Sequence, residues 1–104
     1  MNELLYLISQ TYVVDENSNN VAVPVERAVY GIGMSVSQSE FFAAAQNNIR
    51  SERKIKIWKL DYNGERKARV GDVTYDIYRT YAVDDYIELY LSTKAGDDNG
   101  NQRS

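Results

Sequence analysis

Ser37-Gln38-Ser39-Glu40-Phe41-Phe42-Ala43-Ala44-Ala45 interrupts a chain whose other ordered runs alternate like strands. Ser37 with Glu40 three residues on forms a capping-box pattern: the serine oxygen accepts the Glu40 amide while the carboxylate reaches back to the Ser37 amide. Phe42, Ala45 and Ile49 then recur at i, i+3 and i+7, which predicts one buried helical face and a helix over residues 38–48. Ser37, Glu40, Phe41 and Phe42 are the expected start and anchor of that helix.

On either side the pattern changes to period two. Residues 4–14 are apolar and β-branched with aromatics, a strand signal. Residues 15–20, Asp-Glu-Asn-Ser-Asn-Asn, form a polar turn-rich loop, and 21–36 read as a second long strand with Pro24 near its start. Gly31 and Gly33 mark a bulge or a close backbone approach. After the helix, Lys54-Ile55-Lys56-Ile57-Trp58 places Ile55 and Ile57 inward and Lys54, Lys56 and Trp58 outward. An Asn63-Gly64 turn, a short strand near 68–70, a strand over 74–81 and an Asp84-Asp85 turn follow. Residues 86–92 alternate, with Ile87, Leu89 and Leu91 inward and Tyr86, Glu88 and Tyr90 outward. About six antiparallel strands with one short helix between the second and third predict a mainly β fold, a small antiparallel β-barrel. It occupies residues 1–95 as one domain, and the polar residues 96–104 are expected to be a mobile tail.

Composition narrows the chemistry. The 104 residues contain neither cysteine nor histidine, which excludes disulfides, thiolate metal sites and imidazole catalysis. No apolar run approaches the ~20 residues of a membrane helix, and no basic leader with a cleavage site opens the chain. The expectation is an intracellular protein without a membrane partner. The net charge of −3 is uneven. Arg50, Arg53, Lys54, Lys56, Lys59, Arg66, Lys67 and Arg69 cluster in one stretch, opposed by Glu52, Asp61 and Glu65, and the remainder is acidic. Either these are solvated strand faces, or opposed faces of unlike sign favour ring stacking.

A long strand, then Ser-Gln-Ser-Glu-Phe-Phe-Ala-Ala-Ala (37–45), then Arg-Lys-Ile-Lys-Ile-Trp (53–58), then Gly71-Asp72-Val73-Thr74-Tyr75-Asp76-Ile77 and a final alternating strand resemble the head–tail adaptor, or head-closure (stopper), proteins of long-tailed bacteriophages. The likeness spans residues 4–92. Where the family's second strand commonly carries tryptophans, this chain has Val29, Tyr30 and Ile32. The resemblance implies a barrel that assembles as a homo-oligomeric ring below the portal and adaptor proteins of the virion. Such a ring closes the DNA exit channel and offers a platform to the tail and its completion protein. By position, the channel-closing segment is 33–52, with Gln46, Asn47, Asn48 and Arg50 as its contact-making residues. It also implies assembly in the bacterial cytoplasm and passing, non-specific contact with packaged DNA.

Other readings compete. Asp15, Asn17, Asn19 and Glu26 have the spacing of a calcium loop, but Asn20 stands where such a loop needs glycine, and the flanks read as strands. The plainer reading is a polar hairpin loop. Lys54 and Lys56 with Trp58 and Tyr62 suit a nucleic-acid-binding barrel, which the acidic overall balance opposes. Lys54, Lys56, Trp58, Tyr78, Tyr86 and Tyr90 are equally candidates for a subunit interface. A tail-completion protein is a further alternative. No nucleophile–base pair can be assembled from these side chains, so neither catalysis nor a cofactor is expected.

Overall fold

The structure is a computed structural model that describes residues 2–93. The proposed tail, residues 96–104, lies outside the described residues. In chain order the elements are β1 (Asn2–Val14), β2 (Asn20–Met34), α1 (Gln38–Ala45), β3 (Arg50–Trp58), a 3-10 turn (Lys59–Asp61), β4 (Lys67–Val70), β5 (Val73–Val83) and β6 (Tyr86–Thr93). The strands close into an antiparallel barrel in the order β1-β2-β3-β6-β5-β4, the fold class that the alternating patterns predict. Every strand has a neighbour on both sides, but the β1–β4 and β2–β3 seams that close the ring are three residues long each.

Two strands are longer than the barrel needs. β1 and β2 pair without a register shift from Asn2↔Ile32 to Val14↔Asn20. β1 meets β4 only at Tyr6, Leu7 and Ile8, and β2 meets β3 only at Ile32, Gly33 and Met34. Beyond Ile8 and Glu26 the hairpin therefore continues as a two-stranded arm with no neighbouring strand on either edge among the described residues. The described chain measures 51 × 37 × 24 Å.

Alternation sorts the core. Leu5, Leu7, Val29, Ile55, Ile57, Ala68, Tyr75, Ile87, Leu89 and Leu91 fill the barrel, with Tyr62, Val70 and Ile77 packed against them. Gly31 sits at an inward position, and a Cβ there would lie 2.6 Å from Ile55 Cγ2, 2.8 Å from Ile57 Cγ2 and 2.9 Å from the Lys56 carbonyl. Glycine is what lets β2 approach β3 over those two isoleucines. An ion pair stands at each end of the core, Glu3 with Arg53 at one and Arg27 with Glu65 at the other, 2.8 Å apart.

Two bulges set which residues face out. Glu52 is the extra residue between Ser51↔Ser92 and Arg53↔Leu91, and Tyr78 the extra one between Ile77↔Leu91 and Arg79↔Tyr90. Each inverts the parity of the strand that follows, as one inserted residue must. Ile77 thus faces in while Arg79 and Tyr81 face out.

The helix differs from its expectation. It ends at Ala45, with Gln46 as C-cap and a turn through Asn48, whose φ of 60° is left-handed. Its buried residue is Ala44, whereas Phe41 and Phe42 are 44% and 59% exposed. The predicted Phe42/Ala45/Ile49 face is therefore not the buried one, and the two phenylalanines do not anchor the helix.

Candidate functional site

What anchors the helix is Glu40. Ser37 Oγ accepts the Glu40 amide at 3.2 Å and the Ser37 amide donates to Glu40 Oε1 at 3.0 Å, completing the capping box. The same carboxylate continues past the cap to the barrel. It accepts Lys54 Nζ at 3.0 and 3.1 Å and the Tyr90 hydroxyl at 2.9 Å. Lys54 and Tyr90 are cross-strand partners on the outer wall of β3 and β6. Tyr78, the bulge residue, joins them edge-on to Tyr90 at 6.1 Å and donates to Ser51 Oγ at 2.7 Å. The Ser37 amide, with help from Lys54 and Tyr90, holds the Glu40 carboxyl down at about 2 against the opposing effect of burial. Burial, then the adjoining Glu40, push the Tyr90 hydroxyl upward.

This cluster revises the sequence-based surface. Lys54 and Tyr90 point outward as alternation requires, yet both are buried, at 8% and 3% exposure, because Glu40 of α1 reaches over them and Tyr78 and Arg79 pack on the Tyr90 ring. Neither is available to a neighbouring subunit, and Tyr78 is partly covered beside them. Gln46, Asn47 and Asn48, in the turn after the helix, and Arg50, at the start of β3, are exposed, as are Phe41 and Phe42. Phe41, Asn48 and Arg50 share a shallow cavity of about 310 Å³. The two phenylalanine rings meet edge-on at 5.9 Å and leave about half of their area to solvent.

Lys56, Trp58 and Tyr86 form a second exposed surface. Trp58 and Tyr86 stack at 4.6 Å, and Lys56 Nζ stands 4.8 Å over the Tyr86 ring. They border an open cavity of about 560 Å³ that also touches Tyr30 and Ile32, where β2 and β3 have parted. Tyr62 does not join this group: it packs against the core and donates to the Glu65 carbonyl at 2.7 Å.

The residues with calcium-loop spacing do not converge. Asp15 Oδ1 accepts the amides of Asn17 and Asn19, both at 2.9 Å, closing a side-chain turn. Glu26 lies in β2 opposite Ile8, six strand residues from the tip and about 20 Å away at ~3.4 Å per residue. There it takes Arg69 at 2.8 Å, and that hydrogen bond draws its carboxyl below the ordinary value. Among the described residues no group of three or more acidic side chains is placed to hold a metal ion. Nor is any helix among them long and apolar enough to cross a membrane.

The arm is a third surface, one that strand periodicity alone does not reveal. Residues 9–14 and 20–25 contain no charged side chain. Tyr12, Val13, Val14, Val21 and Val25 are each at least 41% exposed.

The fold and these surfaces define a small closed β-barrel that carries a helix on its outer wall and a projecting hairpin. Compared with protein-family models, with curated proteins and with solved structures, the chain finds no match.

Proposed function

We propose that this chain is a non-enzymatic structural component of a bacteriophage head–tail connector, a head-closure protein that forms a ring below the portal and adaptor. Its place is the virion, reached by assembly in the bacterial cytoplasm. The observation that carries this reading is the β2–β3 excursion. An eight-residue helix is tied to the barrel through the Glu40 carboxylate and its one buried residue, Ala44, and leaves Phe41 and Phe42 partly exposed. Exposed paired aromatics on a short, lightly anchored helix suit a partner surface better than a free one. The same excursion separates the second and third strands in the head-closure proteins that the sequence resembles. Phe41, Phe42, Gln46, Asn47, Asn48 and Arg50 are the contact residues toward the portal side or the channel.

The test is reconstitution. Purified protein is mixed with DNA-filled heads that carry portal and adaptor but lack the later connector proteins, and the particles are imaged. A ring of added density at the portal vertex, with DNA retained, supports head closure. Density only on isolated tails points to a tail-completion protein, and no density on either rejects the connector reading.

The Trp58–Tyr86 stack beneath Lys56 favours a second reading, a nucleic-acid-binding barrel, because exposed rings beside a cation suit base stacking. Salt-sensitive binding of single-stranded oligonucleotide, lost in Trp58→Ala, distinguishes it.

A further inference from the structure

The arm is chemically unlike the barrel from which it projects. Its inward-parity residues, Ser9/Val25, Thr11/Val23 and Val13/Val21, continue the row that begins with Leu5/Val29 and Leu7/Arg27 in the barrel. Inside the barrel that row meets β3, β5 and β6. On the arm beyond Ser9 it faces no other strand among the described residues. Exposed edges in natural sheets are ordinarily blunted by lysines, inward charges or covering loops, and an isolated hairpin is marginal in water. The arm carries no charge along either strand, and Pro24 is its one edge-disrupting residue. Its tip is the opposite: Asp15 and Glu16 are exposed, and neither has an ion-pair partner among the described residues.

A complementary feature lies at the arm's base. Where β1 leaves β4, a cavity of about 370 Å³ opens between Ile8, Ser9 and Gln10 and the turn carrying Gly64, Glu65, Arg66 and Lys67, in which Glu65 is buried and already paired with Arg27. Lys67 is engaged by Asp76 at 2.8 Å. Arg66 is exposed and, among the described residues, in no ion pair. We infer that the arm docks on a second copy of this chain, its acidic tip entering the crook beside Arg66 of that copy and its valine face covered by the copy's β1 edge. Charge complementarity favours this occupant: Asp15 and Glu16 stand without a cation at one end of an uncharged ribbon, and Arg66 without an acid beside the other, among the described residues. Tip and crook are different parts of the molecule, so the contact is head-to-tail and each copy offers one of each.

The contact is weak singly. A six-pair ribbon about 20 Å by 10 Å presents far less than the ~800 Å² per partner of a stable interface. It becomes effective when several such contacts close together, as they would in a ring. The inference thus deepens the connector reading by naming what joins its subunits, and rests on that reading only for the closed ring.

The absence of cysteine from the chain allows a clean test. Asn17→Cys and Gln10→Cys proteins, which keep the tip acids and Arg66 and are each checked for folding by circular dichroism, are mixed at millimolar concentration and oxidised. A mixed disulfide several-fold more abundant than the dimer of either variant alone is expected, reduced several-fold again when Val13→Ser and Val23→Ser are added to the Asn17→Cys protein. Mixed species no more abundant than the self-dimers, or insensitive to the valine changes, overturn the inference. Imaging separates it from the connector reading. A mixed disulfide without density on heads leaves the copy contact standing and removes the connector. A ring on heads formed by protein whose arm is truncated does the reverse.

Discussion

Glu40 Oε1 and Lys54 Nζ, fourteen residues apart in sequence, lie 3.0 Å from each other, with the side chains 21% and 10% exposed. One carboxylate therefore caps a helix and ties it to a barrel. Glu40→Ala removes the return half of the capping box and leaves a buried ammonium without its partner. The expected loss is about 2–3 kcal/mol in urea unfolding, above what a cap alone contributes. Lys54→Met, which fills the same space without a charge, should lose less than half as much. Equal losses would mean that the ion pair is not what holds the helix.

The low Glu40 carboxyl sets a pH window. A carboxyl that titrates near 4.5 when unfolded and near 2 when folded binds its proton first in the unfolded chain as pH falls. Its stabilisation is therefore fully present above about 4.5 and disappears progressively toward 2. Glu26 and Glu65 are shifted the same way, so some acid sensitivity remains without Glu40. The melting temperature of Glu40→Gln should start lower at neutral pH and fall less steeply than wild type between pH 4.5 and 2. Parallel curves would refute the assignment.

How far this architecture was legible depended on the range of the interactions. Ile55, Ile57, Ile87, Leu89 and Leu91 declared themselves because a two-residue period is local, and Ser37 with Glu40 because a capping box is local too. The burial of Lys54 and Tyr90 is not local: it comes from Glu40 on a helix that folds back over them and from Tyr78 and Arg79 beside the Tyr90 ring. The alternation placed them outward correctly and had no means of showing what covers that wall. Phe41 and Phe42 misled for the converse reason, since large apolar residues were assumed to face the core. The bulges at Glu52 and Tyr78 leave no composition signal. The β1 and β2 runs were readable as strands, but that they outrun β3 and β4 emerges only from the pairing.

Gly31 and Gly33 separate two meanings of a glycine in a strand. An added Cβ at Gly31 meets two core isoleucines and backbone within 3 Å, so Gly31→Ala should destabilise by about 1–3 kcal/mol, as overpacking does. At Gly33 the nearest group is the carboxylate end of Glu3, which can swing away, and Gly33→Ala should lose under about 1 kcal/mol. Denaturant midpoints of the two variants decide the matter, and similar values would mean that the barrel yields at Gly31.

The arm gives a prediction of opposite character. It contributes none of the residues that fill the core, and its two strands pair only with each other. Replacing residues 10–24 by an Asn-Gly turn, which suits a two-residue hairpin, should leave the melting temperature of the barrel within a few degrees of the full chain. Removing so much exposed apolar surface should at the same time improve solubility at high concentration. A large loss of stability would show that the arm folds back on its own barrel in solution. An unchanged barrel that has lost its concentration-dependent association would locate that association in the arm, because the barrel wall, helix and aromatic shelf all remain in place.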